Sequence, residues 1–276
     1  MTPQDLMSLE GKLTLVTGAG VGIGQGVALE LGRRGADVVL HYASSAQGAE
    51  EAAEQIRAMG RRAQVVQGDL SKVSECRRVV DDAVKFLGGL DVLVNNAGVS
   101  TTVEFLKTTE DQFDLTFDLN IRGQYFCAQQ AVPHMVERGR DLTRRYPDMP
   151  WRGGSIINMS SIQGLGGLAL HTAYAGTKGA IIAFTRTMAI EICPLRIRAN
   201  VIAPGAVEVP RYWDNIENYS RELGNTMAPW GRVGLPGDIG YMAAFLSSDA
   251  AEWITGQVFT VDGGTMARLP IGVTYH

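Results

Sequence analysis

Tyr174 and Lys178 stand four residues apart in a stretch with helical period, so they share one helix face about one turn apart. A phenol titrates near pH 10 in model peptides, too high for efficient proton transfer at neutral pH. An ammonium about 4 Å away contributes roughly 4 kcal/mol at an effective dielectric of about 20. At about 1.36 kcal/mol per unit, that attraction can lower the phenol by up to about three units before other terms oppose it. Such a phenol moves a proton on or off an oxygen atom. Ser161 lies thirteen residues before Tyr174, with Ser160 as the neighbouring alternative, and Asn120 lies further upstream.

A second chemical feature is the run Thr17-Gly18-Ala19-Gly20-Val21-Gly22-Ile23-Gly24, which follows an apolar stretch and leads into a helical one. Backbone N–H groups and a helix N-terminus favour a pyrophosphate, and missing Cβ atoms let it approach. The spacing G-x-G-x-x-G fits no register here, whereas G-x-x-x-G-x-G fits at Gly18, Gly22 and Gly24, with Ile23 between the last two. An acid at the end of the second strand would select NAD through the adenosine ribose. That strand instead ends His41-Tyr42-Ala43-Ser44-Ser45, and no acid follows before Glu50. Ser44 and Ser45 can donate to a 2′-phosphate, although Val21 stands where a cation would serve the same end. The balance tips slightly from NAD to NADP.

The elements that position these residues are legible from periodicity. Strands are expected at Leu13–Thr17, Asp37–Tyr42, Ala63–Gln67, Leu90–Asn95, Ser155–Met159, Arg198–Ala203 and Val258–Val261. Helices are expected at Gln25–Arg34, Ala46–Met59, a stretch capped by Ser71, Asp111–Val136 and Ala173–Ile192. This alternation predicts an α/β fold, a Rossmann-like doubly wound parallel sheet of about seven strands with helices on both faces. With no internal repeat or linker, residues 1–276 are read as a single domain. Glu137–Arg152 is rich in charge and lacks apolar period, so it reads as an inserted surface loop.

Composition narrows the function. A net charge of −4 leaves no footprint for nucleic acid or an anionic membrane. Met1–Lys12 has no basic-then-apolar leader, and no uninterrupted apolar run reaches a membrane span of about 18 residues, so a cytoplasmic protein is expected. Cys76, Cys127 and Cys193 are odd in number and far apart, which fits reduced thiols. His41, His134, His171 and His276 show no ligand spacing, and no metal site is expected.

Taken together, the glycine pattern, Asn95-Asn96-Ala97-Gly98, Asn120, Ser161 and Tyr174-x-x-x-Lys178 fall in a fixed order. In this the chain resembles the short-chain dehydrogenase/reductase family from about Leu9 to Gly264, including Asp69-Leu70, Pro204-Gly205 and Asp262-Gly263-Gly264. The resemblance implies roles. Tyr174 transfers the proton, Lys178 also holds the cofactor ribose, Ser161 hydrogen-bonds the substrate oxygen, and Asn120 orients a water. Asp69 and Leu70 flank the adenine, Asn96, Ala97 and Gly98 wall the adenosine ribose, and Pro204, Gly205 and Val207 lie by the nicotinamide. Two departures stand out: Val209 replaces the family's threonine, and Asn120 to Ser161 is about a dozen residues longer than usual.

The resemblance also implies an NAD(P)-dependent oxidoreductase acting at a carbonyl or alcohol carbon of a small molecule, and a homotetramer built on Asp111–Val136 and Ala173–Ile192. Residues 206–232 take the place of a substrate lid, carrying Arg211, Tyr212, Trp213, Tyr219 and Trp230. With Gln163, the lid residues Tyr212 and Trp213 are the candidate substrate contacts. Aromatic faces and an arginine suit a sugar or polyol, as in sugar 1-dehydrogenases, and a 3-oxoacyl-carrier-protein reductase is the alternative. An epimerase or dehydratase, and a non-catalytic dinucleotide-binding module, are more remote readings.

Overall fold

Strands buried on both faces of a parallel sheet must be apolar along their whole length, and the central strands meet that demand. In the computed structural model, which describes residues 5–145 and 151–268, the strands are β1 (Leu13–Val16), β2 (Asp37–Tyr42), β3 (Ala63–Gln67), β4 (Val92–Asn95), β5 (Gly154–Met159), β6 (Ile197–Pro204) and β7 (Val258–Val261). Every residue of β1, β4, β5 and β6 is buried. The helices are α1 (Gly22–Arg33), α2 (Ala46–Ala58), α3 (Val73–Leu87), α4 (Glu110–Phe117), α5 (Gly123–Arg145), α6 (Thr172–Ile192), α7 (Pro210–Asn215), α8 (Arg221–Asn225) and α9 (Pro236–Ser247).

All strand pairings are parallel, and the order is β3-β2-β1-β4-β5-β6-β7. The chain therefore winds outward from β1 in one direction, crosses back to β4, and winds out in the other. The crevice beyond the carboxyl ends of β1 and β4, where the order reverses, is where such sheets bind ligands. One face of the sheet packs against α1, α2 and α9 through Val16, Leu31, Ile56, Ile157 and Ile239. The other packs against α3 and α5 through Leu15, Val80, Leu93, Cys127 and Met135, and against α6 through Ile181 and Val201.

Helix α9 lies beyond the segments that periodicity marked. It is apolar around most of its circumference, so no stripe announces it, and it packs closely along α1. A Cβ on Gly26 would lie 2.4 Å from Pro236 Cβ, and one on Gly240 would lie 2.9 Å from Glu30 Cβ.

Three local expectations are corrected. The expected loop Glu137–Arg152 is helical as far as Arg145, where α5 ends. Its charges, which hid the period, pair along the helix: Arg140 with Glu137 at 3.7 Å and Arg145 with Asp141 at 3.1 Å. Arg138 reaches Asp91 at 3.4 Å, and Gly139 leaves room for the Trp151 ring, whose Cε3 would lie 2.3 Å from a Cβ there. Residues 146–150 of that stretch lie outside the described residues. Ser71 does not cap α3: its hydroxyl donates to Asp69 at 2.7 Å, and the helix starts at Val73 without a side-chain cap. Finally, the helix expected over Asp111–Val136 is two helices joined by a π turn at Asp118–Arg122.

Among the described residues, no helix is long and apolar enough to cross a membrane. The same residues hold no cluster of three or more His, Cys, Asp or Glu side chains that could bind a metal.

Candidate active site

The glycine turn sits at the mouth of the crevice. Gly18 and Gly22 both adopt φ of +63°, a conformation that side chains disfavour. A Cβ on Gly18 would stand 2.8 Å from Ala97 Cα, and one on Gly24 would stand 2.2 Å from Gly18 O. Asn96 latches this backbone, its Nδ2 donating to Thr17 O at 3.0 Å and Gly18 O at 3.1 Å. Thr17 Oγ1 in turn accepts from the N–H groups of Asn96 (2.9 Å) and Ala97 (3.0 Å).

His41, which no sequence motif marks, completes the latch. Gly18 N donates to its Nδ1 at 3.1 Å, so Nε2 carries the proton and donates to Gly68 O at 3.0 Å. A neutral imidazole thus ties together the ends of β1, β2 and β3. Burial holds its pKa down to about 4. Only the folded neighbours reveal this; a lone histidine in a strand carries no sequence signal.

The turn fits a dinucleotide. No side chain caps α1 at Val21 and no acid stands in its first turn, the condition in which a helix N-terminus receives a pyrophosphate. Ser45 packs on the turn, its carbonyl 2.6 Å from where a Gly20 Cβ would be, and Ser44 is exposed beside it. Asp69 is exposed and accepts from Ser71 N at 3.1 Å, while Leu70 is buried. Across the crevice β6 ends at Pro204. Gly205 lies against Asp262, whose Cα would be 2.7 Å from a Gly205 Cβ, and the buried Val207 bridges to Gly234.

The residues expected to handle the proton converge at the ends of β5 and α6. Ser160 is turned inward, its hydroxyl donating to Lys178 O at 2.8 Å, which leaves Ser161 for the site. Ser161 Oγ accepts from Gln163 N at 3.1 Å. Lys178 is 4% exposed, and its Nζ donates to Met159 O at 2.9 Å and lies 5.3 Å from the Tyr174 ring centroid. Burial, with the Arg211 charge adding to it, brings the Lys178 ammonium down to about 7.

The expected lowering of Tyr174 is corrected. Burial pushes the phenol up, and the opposing pull comes from the Ser161 hydroxyl and the Arg211 charge. An ammonium whose hydrogen bond is given to a backbone carbonyl, and which burial itself discharges, is a weak lever on the phenol.

Asn120 is fully buried in the π turn. Its Oδ1 accepts from Val99 N at 2.8 Å, while Nδ2 donates to Val99 O at 2.9 Å and to Thr177 Oγ1 at 3.0 Å. Thr177 Oγ1 donates to Tyr174 O at 2.7 Å. Asn120 therefore grips the loop after β4 and, through Thr177, the backbone of Tyr174. Gly98 must be glycine here, because a Cβ would stand 2.9 Å from Asn120 Oδ1.

The lid begins where Val209 touches the glycine turn, its Cγ1 3.0 Å from where a Gly22 Cβ would lie. Tyr212 on α7 is close enough to Tyr174 to influence its ionisation. Trp213 is half exposed and packs edge-on against Tyr219 at 4.8 Å. Tyr219 OH donates to Glu208 at 3.0 Å, and Arg221 pairs with the same carboxylate. Of the three candidate substrate contacts, Gln163 gives its backbone N–H to Ser161, Tyr212 on α7 bears on the ionisation of Tyr174, and Trp213 packs within the lid. Gln163 Oε1 is buried without a hydrogen-bond partner.

Comparison with known proteins agrees with this geometry. A family model described as enoyl-(acyl carrier protein) reductase matches residues 18–266. The chain is 38% identical to the versicolorin reductase stcU of Emericella nidulans over 275 residues, covering 96% of this chain and 99% of that one. It is 38% identical over 272 residues to the hydroxynaphthalene reductase-like protein Arp2 of Metarhizium robertsii, covering 94% and 96%. Among solved structures, a 7α-hydroxysteroid dehydrogenase complexed with NADH and 7-oxo glycochenodeoxycholic acid superposes with a TM-score of 0.85 at 31% identity, covering 96% of this chain and 98% of that one. The chain belongs to the short-chain dehydrogenase/reductase family, whose members are NAD(P)-dependent oxidoreductases.

Proposed function

We propose that this enzyme reduces the ketone of a cyclic, hydroxylated small molecule, with Tyr174 as proton donor and Ser161 as the hydroxyl that holds the carbonyl oxygen. The observation that carries this reading is the phenol beside Ser161: burial keeps it protonated at neutral pH, the state that donates to a carbonyl oxygen as charge builds there. Lys178, near its own midpoint at about 7, can replace the proton that the phenol gives up. Asn120 acts through Thr177 to hold the Tyr174 backbone in place. The nicotinamide, when bound, supplies the hydride. The glycine turn, with Ile23 in it, would hold the pyrophosphate, and Asp69, Leu70 and the Asn96-Ala97-Gly98 loop the adenosine end. Pro204, Gly205 and Val207 would line the nicotinamide. Ser44 and Ser45, with no acid at the end of β2, favour NADP.

Relatives named for hydroxynaphthalene and versicolorin reduction and the aromatic lid support a fused-ring substrate. The sugar or polyol reading stays second, supported by the same aromatic faces and by Arg211. One sheet and one crevice support a single domain, and three free cysteines support a place in the reducing cytoplasm. A homotetramer is supported by the exposed Phe113, Leu115 and Tyr125 on α4 and α5. Light scattering checks the mass.

The test is a panel of hydroxylated tetralones, sugars and acyl thioesters with NADPH and NADH, followed at 340 nm. Tyr174→Phe should lower kcat by about 10²–10⁴-fold with cofactor binding intact. Full turnover in that variant would overturn the reading.

A further inference from the structure

The grip of Asn120 fixes the backbone of Tyr174 but leaves its ring free to turn between rotamers. A second hold reaches that ring. His171, Tyr174 and Lys178 are spaced i, i+3 and i+7, so they line one face at the start of α6. Lys178 Nζ flanks the phenol ring from the C-terminal side, 5.3 Å from its centroid. The half-buried His171 imidazole meets it from the N-terminal side, at 6.3 Å between centroids and 70° between planes. That is the edge-to-face arrangement which aromatic rings prefer.

The imidazole is itself held. Its Nδ1 lies 2.8 Å from Ala169 O. A carbonyl only accepts, so Nδ1 carries the proton and, in the neutral ring, Nε2 accepts from the Thr102 hydroxyl at 3.2 Å. Beside this bond, Val103 N donates to Leu170 O at 2.8 Å. Leu170 adopts φ of +70°, a conformation that a leucine keeps only where its surroundings impose it. The loop after β4 is therefore stitched to the start of α6 at Thr102 and Val103. Its other end, Val99, is gripped by Asn120, which reaches Tyr174 O through Thr177. One loop thus bears on Tyr174 twice, on the backbone from one end and on the ring from the other.

We propose that His171 is a positioning residue for Tyr174: tied to Thr102, its ring sets the angle of the phenol that the grip of Asn120 leaves open. This rests on the reductase reading, in which that phenol gives the proton, and adds the residue that aims it. Proton transfer needs the phenol oxygen within hydrogen-bond reach of the carbonyl oxygen, about 2.6–3.2 Å. A ring that rocks about its Cα–Cβ bond leaves that window. Loosening His171 therefore lowers kcat and spares the cofactor KM.

Two amide substitutions separate the stitch from the ring. Glutamine carries its amide about as far out as Nε2 and can accept from Thr102, whereas asparagine stops at the reach of Nδ1. His171→Asn should lower kcat about 5- to 50-fold, the combined effect of a lost aromatic pair and a lost hydrogen bond, and His171→Gln should recover part of the loss. Thr102→Val, at an exposed position, should lower kcat about two- to fivefold. Adding it to His171→Asn should lower kcat no further, because both break the same bond. The solvent deuterium isotope effect on kcat should rise in His171→Asn, since a misaimed phenol slows the proton transfer itself; a residue that only packs the loop would not move it. Unchanged kcat in His171→Asn, or independent losses in the double variant, overturns the proposal. So does a crystal structure of His171→Asn in which the Tyr174 ring keeps a single, unshifted position. That readout needs no turnover: if the wild type reduces no ketone of the panel, the reductase reading fails while the ring position still decides the role of His171.

Discussion

The two walls of the crevice are built on opposite principles. On the cofactor wall, Thr17, Gly18, His41 and Asn96 use their polar groups on one another, and space is so tight that Gly24 admits no Cβ. On the lid wall, α7 carries the half-exposed Trp213 and an arginine that, among the described residues, has no carboxylate partner, while Tyr219 and Arg221 both hang on Glu208. Satisfied, close-packed polar networks fix one geometry, whereas sparse contacts leave a segment able to adapt. On the function proposed above, the difference separates holding the dinucleotide from choosing the substrate. The first falls to close-packed backbone, the second to side chains.

Substitutions can break this contrast, and the largest effect should come from the tight wall. Gly24→Ala sets a methyl 2.2 Å from Gly18 O, so the turn must open. Dinucleotide affinity should fall by about 10- to 150-fold, the loss of about 1.5–3 kcal/mol that hydrogen bonds to a charged pyrophosphate carry, with the melting temperature also lowered. Isothermal titration with NADPH reads the first and calorimetry the second. Unchanged affinity would mean the turn yields more easily than its contacts imply.

The next effect is an acid instability seated in His41. Its folded pKa of about 4 lies below the usual 6.5, so the unfolded chain binds the proton first. Stability is therefore full above pH 6.5, falls as pH drops below it, and stops falling below about 4. The whole window is worth about 3 kcal/mol, with about 2 kcal/mol lost by pH 5. His41→Gln should be less stable at pH 7 yet show a flatter decline toward pH 5 by urea unfolding. Parallel declines would remove His41 as the cause.

The lid should respond differently. Glu208→Gln frees Arg221 and weakens the Tyr219 contact, so KM for the ketone should rise about 3- to 10-fold, the range of about 1 kcal/mol. The cofactor KM should stay put; a matching rise in it would erase the division between the walls. Trp213→Ala, at a ring that is 54% exposed, should move kcat by less than about threefold, a small effect expected for a surface site. A larger loss would bring that ring into the substrate site.

How much of this the sequence disclosed depended on whether a signal was local. The bounds of β2, β3 and β7 follow from apolar runs punctuated by glycine or polar residues, and they match the structure residue for residue. The order of Asn120, Ser161, Tyr174 and Lys178 was legible because each belongs to a short motif. Helix α9 was not, since a helix buried on most sides has no stripe. The helical end of α5 was not, since its exposed charges imitate a loop. His41 and the grip of Asn120 on Val99 and Thr177 join residues 21 to 57 positions apart, and no periodicity reports such pairs. The phenol moved against expectation for the same reason: spacing shows a neighbouring charge, but only packing shows how little water is left.

The π turn at Asp118–Arg122 has a further consequence, for rotation rather than for chemistry. A turn closed five residues back holds one residue more than its α counterpart, and each residue of an α-helix advances about 100° around its axis. The added residue therefore sets the azimuth of everything after it. Cys127, Ala131 and Met135 face the sheet because Asn120 was let into the crevice first. Deleting one residue from this turn would restore an unbroken helix and swing that apolar row about 100° away from the sheet. The loss would far exceed that of any single side chain in the turn.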